Sequence, residues 1–195
     1  MANSQGKSSH SGSSSFDGKA GIIGAAVAGL AVGMAANLGR KAVVQGMTAN
    51  AGDWSEGLTA EHNAVSKIFD ALELTTEENT TKRTVLLTQL KHALGKHAFQ
   101  EENVVYPAMR EHGLTDEADH LNHDHGYVKQ FLFELTEMER SNPMWLAKAR
   151  EFRTELDRHV REEEDTLFPK LRAALGPDGN DHVTAAMNKE GFKLA

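Results

Sequence analysis

The chain has 195 residues, a formal net charge of −7 and no cysteine, a length that suits one ordinary domain with something appended. Without Cys there are no disulfides, thiolate metal sites or cysteine nucleophiles, so any metal must be held by imidazole nitrogen and carboxylate oxygen. The acidic balance and the lack of a basic stripe argue against a nucleic-acid partner.

Residues 1–19 are rich in Ser and Gly, with almost nothing apolar to repay the entropy of ordering, and are expected to be disordered. Residues 20–38 carry no charge and hold seven Ala, four Gly and seven Ile, Val, Leu or Met. Small residues recur every fourth position at Gly21, Ala25, Gly29 and Gly33, which lets helices approach closely. The length just spans a bilayer, with Arg40 and Lys41 flanking it. This Gly/Ala-rich apolar helix, set within residues 20–41, is expected either to contact a membrane or to self-associate. Ala and Gly contribute little transfer energy, which leaves both readings open.

After a linker, Asp53-Trp54-Ser55-Glu56 has the form of a capping box. Trp54, Leu58, Val65, Ile68, Phe69 and Leu72 follow at helical period, with His62 on the same stripe. A second helix is expected over residues 80–110, its core positions being Leu87, Leu90, Leu94, His97, Glu101, Val104 and Ala108. Gly113 reads as its stop. A third, over residues 115–140, carries Leu121, His125, Val128, Leu132 and Leu135. The fourth begins at Asn142-Pro143, and its stripe is Trp145, Ala149, Phe152, Leu156, His159 and Glu163. Gly176-Pro177-Asp178-Gly179 is expected to close it, leaving 176–195 as a C-terminal tail with one short helix at most.

Four helices with short connections predict an all-α, up-down-up-down four-helix bundle over residues 54–175. Its halves repeat. His97-x-x-x-Glu101-Glu102 returns as His159-x-x-x-Glu163-Glu164, each followed by an aromatic residue and a proline (Tyr106-Pro107, Phe168-Pro169). His62 stands 35 residues before His97, and His125 stands 34 before His159. Residues four apart share a helix face, so imidazoles and carboxylates occupy places where the pattern demands apolar side chains.

Burying such groups unpaired costs several kcal/mol each, and shared cations would compensate. Four His and two Glu are too many for one tetrahedral zinc. They suit two six-coordinate ions bridged by the carboxylates, and a sulfur-free donor set favours iron, with manganese next.

In this doubled pattern the chain resembles the hemerythrin HHE cation-binding domain, a four-helix bundle with a non-haem di-iron centre. The resemblance covers residues 54–175. It implies that His62, His97, His125 and His159 are terminal ligands and that Glu101 and Glu163 are bridging carboxylates. The chain departs from the oxygen-carrying members, which have a His-x-x-x-His pair on the third helix and an Asp in place of the second Glu. Leu121 stands four before His125 here, and the fourth helix offers Glu163. One imidazole fewer, with the number of carboxylates unchanged, favours the ferric state over reversible oxygen carriage.

Glu102 and Glu164 point about 100° from the ligand face and read as carboxylates behind the ligands or on the surface. His120 and His123 read as rim residues, His123 being the substitute ligand if the register shifts. Tyr106 and Phe168 read as core packing, with Tyr106 alternatively a donor to bound oxygen. Pro107 and Pro169 are expected to kink their helices just past the ligands.

The expected function is a cytoplasmic non-haem di-iron protein that binds or reduces a small diatomic or peroxide ligand, with a place in oxidative stress. An iron storage or sensing module without turnover is one alternative. The other is a membrane-associated interaction protein with a structural metal.

Overall fold

Asp53 opens the first helix, α1 (Trp54–Glu73), with a reciprocal cap. Its carboxylate accepts from the N–H of Ser55 at 3.0 Å and of Glu56 at 3.1 Å, and Glu56 Oε2 accepts from the N–H of Asp53 at 3.0 Å, satisfying donors that the first turn leaves without helical partners. The computed structural model describes residues 52–194. The expected tail (1–19) and the Gly/Ala-rich segment (20–41) lie outside the described residues.

The second helix, α2 (Thr80–Gln100), runs through a π-helical turn, Glu101–Val105, into α3 (Tyr106–Glu111). After α4 (Thr115–Glu137), α5 (Trp145–Glu162) runs through a second π turn, Glu163–Leu167, into α6 (Phe168–Leu194). There is no strand among the described residues. The helices make four rods: α1, α2 with α3, α4, and α5 with the first part of α6. α1 packs on α2 and α5, and α4 packs on α2, α3 and α5. Neighbours in the ring are therefore neighbours in sequence, and their short connections make them antiparallel. Gly113, at φ 79°, supplies the left-handed residue that ends α3.

A π turn lies just before each of the two prolines at which kinks were expected. A proline has no N–H, and its ring clashes with the carbonyl four residues back. The backbone answers one turn earlier: Tyr106 N–H donates to Glu101 O, and Phe168 N–H to Glu163 O. Each widened turn adds a residue to the helical count. The face that carries His97 and Glu101 therefore continues to Tyr106.

The core divides into two apolar compartments. One contains Trp54, Leu58, Met109, Leu121, Phe168 and Leu171. The other contains Phe69, Leu72, Leu90, Leu135, Trp145 and Phe152. Along α1, Leu58 belongs to the first and Val65 to the second, and His62 lies between them.

The C-terminal stretch, expected as a tail, is part of the domain. Gly176 turns the chain at φ 63°, and helix resumes from Pro177 to Leu194. Val183 and Met187 join the first compartment. Asn180 Oδ1 accepts from the Trp54 indole N–H at 2.8 Å, and Thr184 Oγ1 accepts from the Trp54 backbone N–H at 3.0 Å. The polar appearance of this stretch hid an apolar face of few residues. Among the described residues, no helix is long and apolar enough to cross a membrane.

Candidate metal centre

The layer between the compartments is built from His62, His97, Glu101, His125, His159 and Glu163, none more than 8 % exposed. All six residues singled out from the sequence meet there. His62, His97, Glu101 and Glu163 each offer a ligand atom, and these atoms lie within 4.8 Å of one another; Glu101, His125 and His159 make a second such group. Glu101 thus belongs to both. Its Oε2 is 3.0 Å from His97 Nε2 and 3.3 Å from His125 Nε2. Glu163 also faces both, with Oε2 at 3.4 Å from His62 Nε2 and Oε1 at 3.3 Å from His159 Nε2.

Behind each imidazole stands a second carboxylate. His62 Nδ1 meets Glu164 at 2.7 Å, His125 Nδ1 meets Glu102 at 3.0 Å, and His97 Nδ1 meets Glu61 at 3.3 Å. Asp124 Oδ2 lies 3.5 Å from His159 Nδ1. These acids are held in turn by cations: Lys96 on Glu61, Arg158 on Asp124 at 2.9 Å, and Lys129 on Glu102 at 2.9 Å. Glu102 and Glu164 stand behind His125 and His62, the place that the sequence suggested.

Glu61, Asp124, Lys96 and Arg158 escaped the sequence reading. Their signal is plain in retrospect: an acid directly precedes the first His of each half, and a cation directly precedes the second. His123 takes no part and packs edge-on against Tyr127. His120 Nε2 lies 3.4 Å from Glu162 on the surface.

Tyr106, read from the sequence as core packing or as a donor at the site, reaches the layer. Its hydroxyl is 3.0 Å from His125 Nε2 and within 3.4 Å of Glu101 and 3.3 Å of Glu163. The π turn is what points it into the layer. Phe168, its counterpart in the repeat, stacks on His62 with ring centroids 6.2 Å apart.

Burial alone would depress the imidazole pKa values, but the carboxylates outweigh it. His97, beside Glu101 and Glu61, is held well above the usual value, and His62 and His159 are raised. Burial would likewise raise Glu101 and Glu163, yet the imidazoles hold both below the usual carboxylate range. The Tyr106 phenol is pushed well up by burial and by the charges of Glu101 and Glu163, so it keeps its proton.

This donor set fits a cation. The carboxylates on Nδ1 of His62 and His97 make those nitrogens donors, which leaves both Nε2 atoms to face a cation once they are deprotonated. They lie 3.0 Å apart, a spacing that a shared proton or a metal ion satisfies. It is also about the spacing of adjacent donors around an octahedral ion with bonds of about 2.1 Å. Glu101 Oε1, Glu163 Oε2 and both ring nitrogens of His159 are buried without hydrogen-bond partners, a rare state for native polar groups unless an ion or water serves them.

The sequence profile described as the hemerythrin HHE cation binding domain matches residues 55–171, more than half of the chain. A DNA nickase of Nostoc sp. is 27 % identical over 137 residues, which is 70 % of this chain and 38 % of that protein. An uncharacterized hemerythrin-like protein of Schizosaccharomyces pombe is 22 % identical over 139 residues, covering 69 % of this chain and 67 % of that one. The chain therefore spans less than two fifths of the length of the cyanobacterial relative. No solved structure matches the chain significantly.

Proposed function

The chain belongs to the hemerythrin HHE cation-binding domain family, and from that premise we propose that its polar layer holds two non-haem iron ions and binds or reduces a small ligand: dioxygen, peroxide or nitric oxide. The observation that carries the reading is the pair of buried His/Glu groups sharing Glu101, backed by the buried donors that lack protein partners.

His62, His97, His125 and His159 would hold the ions through Nε2, and Glu101 and Glu163, each facing imidazoles from two rods, would bridge. A bound iron pair supplies Lewis acidity and electrons to a small oxygen- or nitrogen-containing ligand. The protein's own part is positional. Glu61, Glu102, Asp124 and Glu164 orient the rings. The Tyr106 O–H is a buried donor beside the bridging acids. The two apolar compartments keep bulk water from the layer.

The donor set favours iron over zinc, with manganese next. Nothing here calls for the nicking activity named for the cyanobacterial relative: the match covers 38 % of that protein, and a chain of net charge −7 suits phosphate backbones poorly. A cytoplasmic location belongs to the same reading, as does membrane contact or self-association through residues 20–38. Fractionation with and without residues 20–38 tests both.

The deciding experiment is metal content together with the visible spectrum, with and without peroxide. About two irons per chain and a peroxide-sensitive band are expected. Protein expressed with ample iron that carries less than one metal, with a featureless spectrum, would contradict the reading. Peroxide turnover that disappears in His97→Ala and Glu163→Ala separates ligand reduction from storage or sensing without turnover.

A further inference from the structure

The layer is sealed by two apolar compartments, so an ion has to reach it from the side. A groove of about 320 Å³ lies between α4 and α5, lined by Tyr127, Phe131, Glu134, Glu151, Glu155 and Arg158 among others. A smaller cavity of about 20 Å³, room for one water-sized particle, shares Tyr127, Phe131, Glu155 and Arg158 with it and reaches His159. His159 is 3 % exposed, and neither of its ring nitrogens has a hydrogen-bond partner. The groove and the cavity behind it thus share walls, and a buried ligand-type side chain whose ring nitrogens make no hydrogen bond lines the inner one.

The charge along this path has one sign in excess. Lys148 bridges Glu134 at 3.1 Å and Glu151 at 2.9 Å. Arg158 meets Asp124 at 2.9 Å, Glu155 at 3.4 Å and Glu162 at 3.7 Å. Five carboxylates thus face two cations. Asp124 lines the inner cavity beside His159, and with the more exposed His120 and Glu162 it offers ligand atoms within 4.8 Å of one another.

The repeat supplies an internal control. On the α1/α2 side, Ala71, Gln89 and Ala93 take the positions of Glu134, Glu151 and Glu155, and Leu86 takes that of Lys148. Lys96, the counterpart of Arg158, is 5 % exposed, whereas the Arg158 side chain is 48 % exposed. One side of the duplicated fold buries its cation and has no carboxylate at these positions, and the other is open and acidic.

We infer that the α4/α5 groove is the uptake route for divalent cations, with Glu134, Glu151 and Glu155 gathering the ion and Asp124, on the wall of the inner cavity, passing it to His159. This rests on the reading of the layer as a metal centre. Carboxylate-lined clefts raise the local concentration and arrival rate of cations by tenfold or more at low salt.

The test is the rate at which the full-length chain, stripped of metal, takes up ferrous iron under anaerobic conditions, with final metal content measured in parallel. The combined Glu134→Gln, Glu151→Gln, Glu155→Gln variant should load on the order of tenfold more slowly at low ionic strength and reach the same content. Lys148→Gln should load faster, and Glu111→Gln, outside the groove, should match the wild type. Equal rates in all four proteins, with full final content, would overturn the route and leave the metal centre standing. A chain that unfolds on stripping and captures iron only while refolding would also overturn it. If no variant, nor the wild type, binds iron, the metal centre itself is refuted and the route with it.

Discussion

The first hairpin, from Trp54 to Glu111, and the second, from Thr115 to Gly176, set the same charges behind the same rings. Glu61 and Lys96 answer to Asp124 and Arg158, and Glu164 on His62 answers to Glu102 on His125. The carboxylates that directly follow Glu101 and Glu163 each reach across to an imidazole of the other hairpin. The halves differ at their margins: Tyr106 against Phe168, and a buried Lys96 against a half-exposed Arg158. Duplication has kept what the layer needs and has let one half open to solvent.

The largest effect tests whether the halves are equivalent. His97→Ala and His159→Ala each remove one of two matched imidazoles, and both should empty at least half of the metal. Each leaves buried carboxylate charge behind, at a cost of about 4 kcal/mol or about 10 °C in melting temperature. Metal analysis and calorimetry check this. Loss of metal in one variant with none in the other would show that only one group binds.

Next come the orienting acids. Glu61→Gln and Asp124→Asn should each weaken metal binding by about 10- to 100-fold, read by competition with a chelator. They should differ in stability. Lys96 lies buried and loses a carboxylate in the first variant, while Arg158 keeps Glu155 and Glu162 at the surface in the second. The melting temperature should fall further in Glu61→Gln, and equal falls would mean that the two cations do not distinguish the halves.

Acidity should separate the metal-free protein from the loaded one. Burial pulls His62, His97 and His159 down, but their carboxylate partners raise them overall. In the metal-free protein their contribution is fully present below the ordinary imidazole value of about 6.5, and it is lost as pH rises through the raised values. Burial pushes Glu101 and Glu163 up, but the imidazoles lower them overall, so their share is lost only as pH falls below the ordinary carboxylate value of about 4.3. The metal-free protein should therefore be most stable between about pH 5 and 6. Metal binding needs the same nitrogens deprotonated. The gap in melting temperature between loaded and stripped protein should be widest above pH 7 and should close toward pH 5; a constant gap would mean that protons and metal do not compete.

Most of the fold and all six layer residues were legible because helical period and the doubled motif point the same way. Leu90 and Leu94 establish a face on which His97 and Glu101 are anomalies, and the second hairpin repeats the anomaly. The parts that stayed hidden have local causes. A regular 3.6-residue count carries the stripe from Glu101 to Val104 and Ala108, and only the π turn forced by Pro107 brings Tyr106 inward. Asp124 and Glu61 sit one residue from a layer histidine, where a solvated helix face would put the same residue types. The helix after Gly176 packs through Val183 and Met187, too sparse a stripe to stand out from its polar neighbours.

The smallest expected effect concerns the residue at which the hairpins differ most sharply. Tyr106→Phe makes the two halves alike, with a phenyl ring beside each first histidine. The variant loses a buried hydroxyl that touches His125, Glu101 and Glu163, while ring packing against His125 at 5.4 Å can persist. One such hydrogen-bonding group contributes about 1 kcal/mol, or about 3 °C for a domain of this size. No ligand in the proposed set is removed, so metal content should stay at the wild-type level. The visible spectrum in the presence of peroxide should change, because the protonated phenol is a donor inside the layer. A variant with wild-type stability, metal content and spectrum would show that the hydroxyl is incidental and that Phe168 and Tyr106 do the same packing work. Loss of metal would instead make Tyr106 a ligand, and the two hairpins would then differ in the ligand set itself.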